Sequence, residues 1–164
     1  MGIALNTAGI LVGYATGTLT SKPTSYKEIP DIKSTPDFNV EPNGLDCTVL
    51  SETVAKQYIE GLKDYGSSIQ FIANLTKTLI DVWDPWCEAV KTAQATDANA
   101  CGWIEITHPK LEKAVAIAVT PVALGMPPSE VDSVWEATLF ATPLKGAEWI
   151  TKIAITPNGE NDTE

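Results

Sequence analysis

His108 is the single histidine of the chain, so any mechanism that needs an imidazole as its general base must use this residue. It stands before Pro109 at the expected end of a strand, and no serine or cysteine can be placed beside it as a nucleophile. The pattern therefore favours a polar side chain at a strand end over a catalytic base.

Three carboxylates form the second group that could do chemistry. Asp81, Asp84 and Glu88 would fall near one face of a continuous helix, where their oxygens could bind a divalent cation. The same acids also suit the positive N-terminal end of a helix, so a solvated helix face is favoured over a metal site. A hydrolase that uses His108 or these acids stays an alternative.

The sequence motifs of the common enzyme classes are absent. The chain has no glycine-rich phosphate loop, no G-x-S-x-G nucleophile elbow and no H-E-x-x-H zinc motif. We therefore expect a protein that is not an enzyme and that holds no cofactor and no metal ion.

Five tryptophans could stack on sugar rings, which would make the protein a carbohydrate-binding module. They lie on different predicted elements, however, and burial in the core or in a subunit interface is favoured. They are Trp83, Trp86, Trp103, Trp135 and Trp149.

The three cysteines, Cys47, Cys87 and Cys101, are an odd number and show neither CxxC spacing nor a neighbouring histidine. This usage indicates neither a disulfide framework nor a zinc site. We expect buried free thiols in a reducing cytoplasm.

Composition and charge limit the class of partner. A chain of 164 residues with 44% hydrophobic residues fits one domain, which can bury roughly 70% of its unfolded surface. Twenty-one acidic residues against eleven lysines, with no arginine, give a net charge of -10. Such a chain lacks guanidinium groups for bidentate phosphate contacts and repels nucleic acid at long range. We therefore do not expect the protein to bind DNA tightly. Glycines at 9, 13 and 17 argue against a membrane span near the N-terminus.

The elements that must position these residues are mainly strands, because apolar and polar residues alternate along most of the chain. Residues 113–120 read as a strand that packs on both faces or lies beside a close neighbour, whereas 103–108 and 133–140 read as half-solvated antiparallel strands. Further candidates are residues 10–15, 25–29, 68–74 and 150–156. The pattern predicts a β-sandwich or barrel of about seven to eight antiparallel strands.

One segment has helical spacing. Asp84 precedes Pro85 as a helix-capping acid would, so we predict one flanking helix over residues 85–94, with residues 78–83 left open between helix and strand. Residues 30–46 hold three prolines and an Asn-Gly turn signal, which predicts a long functional loop. We expect one domain over residues 1–156 and an acidic C-terminal tail over 157–164.

Several runs resemble the major tail tube protein of long-tailed, non-contractile phages. The resemblance covers about two thirds of the chain, and its most specific part is the stretch from I-P-D to G-L-K-D-Y-G. The runs are residues 26–33, 45–50, 58–66 and 69–74, and residues 125–128, 131–134 and 142–146 resemble the last hairpin of that family.

The resemblance implies a structural virion protein, assembled in the bacterial cytoplasm, whose six copies form a ring and whose rings stack into the tube that conducts the genome at ejection. It implies partners among tail terminator, tape measure and baseplate or distal tail proteins, with DNA passing through without specific binding. The related type VI secretion tube is an alternative. Loop 30–46 would then be the arm between rings, with self-association residues Ile29, Pro30, Asp31, Ile32, Pro36, Phe38, Leu62, Asp64 and Tyr65.

The negative charge would have a role in such a tube. A lumen lined with carboxylates repels phosphates evenly, so that DNA can slide without being trapped. We expect outward-pointing acids on the lumen sheet, for example Glu105 and Glu136, to contribute to that lining.

Overall fold

Alternating apolar side chains build one large curled sheet, a second sheet of two strands, and a single helix. The computed structural model describes residues 2–158, and the mainly β fold with one helix confirms the predicted class. The elements in chain order are β1 (Leu11–Thr18), β2 (Tyr26–Glu28), β3 (Ile32–Ser34), β4 (Pro42–Asp46), β5 (Tyr58–Lys63), β6 (Ile69–Asn74), α1 (Lys77–Thr96), β7 (Ala100–Thr107), β8 (Lys113–Pro121), β9 (Glu136–Pro143), β10 (Glu148–Thr151) and β11 (Ile155–Thr156).

The last two strands link distant parts of the main sheet. The strand order is β11-β2-β1-β7-β8-β9-β6-β3, and β10 pairs with the first half of β8 while β9 pairs with its end. Only residues 152–154 separate β10 from β11, which pairs in parallel with β2. The run from β10 to β11 therefore connects both sides of the strand group β2-β1-β7-β8 and curls that group into a small barrel.

Small residues make room inside this barrel. A Cβ atom at Gly13 would lie 2.9 Å from Cγ1 of Ile155 and 3.0 Å from Cβ of Tyr26. Ala116 and Ala118 face the same interior beside Trp103. Because these strand positions lack bulk, the chain from β10 to β11 can lie close against the sheet.

Both faces of the central strands are buried. Ile104 and Ile117 pack towards the helix, whereas Trp103 and Ala116 pack inside the barrel. The prediction that residues 113–120 are covered on two sides is confirmed. The prediction of a half-solvated strand over 103–108 is wrong, because alternation does not report whether a second layer covers the polar face.

The helix is longer than predicted. It begins after Thr76, whose hydroxyl accepts the amide hydrogen of Leu79 at 3.1 Å, and it includes residues 78–83. Asp84 is therefore not a helix cap, and Pro85 lies inside the helix. An internal proline costs about 3 kcal/mol. Its position is solvent-exposed, while five buried residues hold the opposite face on the sheet: Leu79, Trp83, Trp86, Cys87 and Val90.

The predicted loop over residues 30–46 is wrong as a continuous loop. It contains β3, which pairs with β6, and β4, which pairs with β5 in a separate two-stranded sheet. The excursion from the body extends to Lys63. The division between a domain of residues 1–156 and a tail stays a prediction, since Met1 and residues 159–164 lie outside the described residues.

Gly102 sets the distance between helix and sheet, because a Cβ atom there would lie 2.6 Å from Cζ2 of Trp86. We expect Gly102→Ala to lower the free energy of unfolding by about 1–3 kcal/mol, since the indole must shift within a packed core. Urea unfolding followed by tryptophan fluorescence measures this. Gly125→Ala is the control, because nothing lies within 4 Å of its Cβ position. Equal stability of the two variants would contradict the role of Gly102.

Candidate functional site

The two-stranded sheet forms a projecting ribbon, which we define as residues 42–63. Leu45 pairs with Ile59 and Asp46 pairs with Tyr58, so each pair shares one face of the ribbon. Among the described elements, β4 and β5 make their extensive contacts only with each other. Neither face of the ribbon is therefore covered by the body of the fold.

Hydrogen bonds organise the ribbon tip. The amide of Gln57 donates to the Thr48 hydroxyl at 2.8 Å, and the amide of Cys47 donates to the Gln57 carbonyl at 3.0 Å. The Glu52 carboxylate accepts the amide of Val54 at 2.8 Å, and this bond is the largest cause that lowers the pKa of Glu52. The tip is thus a defined structure with directed side chains.

Apolar side chains occupy both faces and the tip of the ribbon. Their exposed fractions range from 53% at Leu45 to 107% at Leu50. The set comprises Leu45, Val49, Leu50, Val54, Tyr58, Ile59 and Leu62. Exposed apolar side chains in this number are typical of surfaces that contact other macromolecules, and a two-stranded sheet without a covering layer is only marginally stable.

The base of the ribbon is anchored to the body. Phe38 packs against the main core, and its ring centroid lies 6.5 Å from that of Tyr65. The Asp64 carboxylate accepts the amide of Gly66 at 2.8 Å, which fixes the turn after β5. Pro36, two residues before Phe38 in the chain, is half-buried. The anchored base and the uncovered tip give the ribbon a fixed direction away from the sheet.

Some predicted self-association residues lie elsewhere. Ile29 is 2% exposed and Ile32 packs on the main core, so the predicted contact role of Ile29 is wrong for its side chain in the folded chain. The carboxylate of Asp31 accepts the hydroxyl of Thr76 at 2.6 Å, and its backbone has a φ of 62°. With the half-buried Pro30, Asp31 joins the turn between β2 and β3 to the start of the helix.

Sequence reasoning missed most of the ribbon. Leu45, Val49 and Ile59 occur only within the runs that carry the resemblance, and no sequence pattern singles out Val54. The signal was present as two short β-prone segments, residues 45–50 and 58–62, separated by a polar loop. Nothing in that pattern says whether a third strand covers the hairpin.

Glu105 is not an outward-pointing acid. It is fully buried, and its Oε1 accepts the amide of Ile153 at 2.9 Å, while its Oε2 and the hydroxyl of Tyr26 are buried without a protein partner among the described residues. Burial raises the pKa of Glu105, against the opposing effects of the Ile153 amide and the Lys152 charge. Burial followed by the Glu105 charge raises the pKa of Tyr26 to about 12. The side chain lies inside the barrel because the run after β10 covers it.

Glu136 is exposed, as predicted, and forms an ion pair with Lys33 on β3. This pair joins the ends of β9 and β3, whose shared neighbour is β6. Whether Glu136 faces a lumen stays a prediction.

His108 has a structural position. Its Nε2 donates to the Asn6 carbonyl at 2.7 Å, and its Nδ1 accepts the amide of Lys110 at 3.1 Å. Both ring nitrogens are therefore occupied. Asp81 pairs with Lys77, and Asp84 accepts the amide of Leu124 at 3.4 Å. Within residues 2–158, no group of three or more His, Cys, Asp or Glu side chains is placed to hold a metal ion.

Three tryptophans are buried and donate to backbone carbonyls: Trp83 to Val122, Trp86 to Ala15 and Trp103 to Thr18. Their rings cannot stack on a sugar. Of the three cysteines, Cys87 and Cys101 are buried as expected, and burial is the main cause that raises the pKa of Cys87 to about 12. Cys47 is exposed on the ribbon, which corrects the expectation of a buried thiol there.

No protein-family model matches the chain, and no curated protein matches it. In the part of the chain that the structure describes, the helix is not apolar and long enough to cross a membrane.

The buried carboxyl of Glu105 gives a prediction for pH dependence. The pKa of Glu105 is raised on folding. The free energy of unfolding therefore falls as the pH rises from the ordinary carboxyl pKa of 4.5 to the raised pKa, and this group causes no further fall above it. Glu105→Gln keeps an acceptor for Ile153 and removes the charge. We expect the free energy of unfolding of Glu105→Gln, relative to that of the natural chain, to increase from pH 5 to pH 8.

Chemical unfolding at several pH values measures this difference. Glu88→Gln is the control, because this side chain is exposed on the helix and its change should alter stability by less than about 0.5 kcal/mol at any pH. A pH-independent difference for Glu105→Gln would show that the carboxyl is not the source.

Proposed function

We propose that this chain is a structural virion protein that self-assembles into stacked hexameric rings, the tail tube of a long-tailed, non-contractile phage. The observation that carries the proposal is the ribbon, whose two faces and tip expose seven large apolar side chains. The resemblance of residues 26–74 to tail tube proteins names the kind of assembly.

The ribbon supports self-association because an uncovered apolar surface of this size is unfavourable in water. A fully exposed side chain of this kind presents roughly 120 Å² of apolar area. Because several of the seven are only partly exposed, together they present on the order of 600 Å². A specific protein interface buries about 800 Å² on each partner. Because these side chains are divided between two faces and the tip, the ribbon reaches that size only where neighbouring copies cover more than one of these surfaces.

The sheet edges contribute less to assembly. At the two ends of the main sheet, β3 and β11 have three and two residues, so each offers a neighbour few unpaired backbone groups. The outer edges of β4 and β5, with five and six residues, are the longer ones. Backbone pairing with another copy is therefore also best placed at the ribbon.

The charge of the chain suits a conduit for DNA. A net charge of -10 without any arginine provides repulsion of phosphates and no bidentate phosphate contacts. Glu136 is the remaining candidate among the two acids predicted to line the lumen. The proposal places the protein in the virion, with tail terminator, tape measure and distal tail proteins as its other partners. A secretion tube of the type VI class would use the same kind of contacts.

We expect the natural chain to form rings or filaments in negative-stain images at high concentration. Leu50→Glu with Leu62→Glu should raise the critical concentration for assembly about a hundredfold or more, since each buried apolar side chain contributes about 1.5–3 kcal/mol. The thermal midpoint should stay near that of the natural chain, because both residues are exposed.

Ala89→Glu with Ala95→Glu is the matched control, since it adds the same two charges on the exposed face of the helix. This control should assemble like the natural chain. A natural chain that stays monomeric at millimolar concentration would contradict the proposed function.

A further inference from the structure

The run that follows β10 closes the barrel, and we define its residues 152–158 as the strap. It pairs with the sheet through β11, which has two residues, and its Asn158 side chain donates to the Glu28 carbonyl at 3.0 Å. Ile155 is its buried apolar side chain. By contrast, β1 and β7 pair along their whole length. Short pairing and a small buried surface make the strap a segment that can open while the rest of the sheet stays folded.

A buried carboxyl lies beneath the strap. Glu105 is fully buried, and its Oε1 accepts the amide of Ile153 at 2.9 Å. Its strand neighbours Gly13 and Ala116 have no polar side chain, and its Oε2 has no protein partner among residues 2–158. The strap therefore supplies the hydrogen bond that this carboxyl receives within the described chain.

Other titratable side chains lie on the interior faces of the surrounding strands and on the strap. They are Tyr26 and Glu28 on β2, Cys101 on β7, Glu148 on β10 and Lys152 on the strap. Within the described strands, β1 and β8 present none on this face. Burial is the main cause that raises the pKa of Tyr26 to about 12 and the pKa of Cys101 above its ordinary value of 9.0. Both groups therefore stay neutral at pH 8.

The charged groups near the carboxyl already have other partners. The Lys152 ammonium donates to the His108 carbonyl at 2.9 Å, and Glu148 pairs with Lys22 at 2.8 Å. Burial raises the pKa of Glu105 in spite of the Lys152 charge and the Ile153 amide, which both act to lower it. These two groups therefore compensate only in part for the loss of water around the carboxyl.

Ionisation of Glu105 would place a charge with a single amide donor inside the closed barrel. Such a buried charge is strongly unfavourable, so the group either stays protonated or gains water. Opening of the strap would break the hydrogen bond to Ile153 and admit water to both carboxyl oxygens. Loss of the proton and opening of the strap are therefore linked.

We propose that the strap is a pH-dependent latch, which is closed over the protonated carboxyl of Glu105 and opens when this carboxyl ionises. The inference goes beyond the proposed function and does not rest on it. Opening should increase as the pH rises from the ordinary carboxyl pKa of 4.5 to the raised pKa, and then level off. The open form would leave the outer edge of β2 without β11, so that a strand of another molecule could pair there.

Amide hydrogen exchange, measured by NMR on the monomer at low concentration, tests the latch. The amide of Ile153 reports on the strap, and that of Ile104, at the buried centre of β7, reports on the whole fold. We expect Ile153 to exchange at least about tenfold faster than Ile104 at pH 8, after correction for their intrinsic rates. Relative to Ile153 in Glu105→Gln at equal pH, its exchange should become at least about threefold faster between pH 5 and pH 8.

Glu88→Gln is the matched control, because it removes an exposed carboxylate of the helix. Its Ile153 amide should exchange like that of the natural chain at each pH. Equal protection of Ile153 and Ile104 in the natural chain would show that the strap opens only with the whole fold, which overturns the latch. Protection of Ile153 that stays constant from pH 5 to pH 8 in the natural chain would overturn it even if Glu105→Gln failed to fold. Neither result would affect the proposed function, because the measurement uses the unassembled chain.

Discussion

The ribbon of β4 and β5 has only two strands, and no further strand or helix of the described chain makes extensive contacts with it. Its apolar side chains must therefore find a covering layer outside the chain or remain in water at a cost. Leu45 and Ile59 cover each other only in part, since both stay more than half exposed. The proposed self-association rests on this single constraint, because contact with another copy would remove these side chains from water.

The rest of the fold gives that ribbon a firm support. The run from β10 to β11 closes the barrel. Where this run passes over Glu105, the amide of Ile153 donates a hydrogen bond to the Glu105 carboxyl and fixes it there. The helix covers the other face through Trp83 and Trp86, whose rings pack edge to face at 5.2 Å. A rigid body reduces the entropy lost on association, because only the ribbon and the opposing surface must be ordered.

The sequence predicts most strands of the main sheet because period-two alternation is local, and residues 113–120 and 136–140 follow it closely. It does not predict β3, β4 and β5, which are short or lie in segments that read as loops. The sequence misplaces the start of the helix because Asp84 and Pro85 form a strong local signal. The actual cap, Thr76, donates a hydrogen bond to Asp31, which is distant in the chain and therefore invisible to a local pattern. Glu105 was misjudged for the same reason, since its covering residue Ile153 is 48 positions away. The ribbon was found only in part, because exposure depends on what the rest of the chain fails to cover.

The uncovered ribbon also limits the shape of any assembly. Copies related by a twofold axis would bring ribbon to ribbon and close into a dimer. A ribbon that instead contacted a different surface of the next copy would leave one ribbon free at the end of the assembly, and repetition of that contact would build a continuous stack. With a net charge of -10 the copies repel one another at long range, so the apolar contact must supply the attraction and assembly should be favoured by salt.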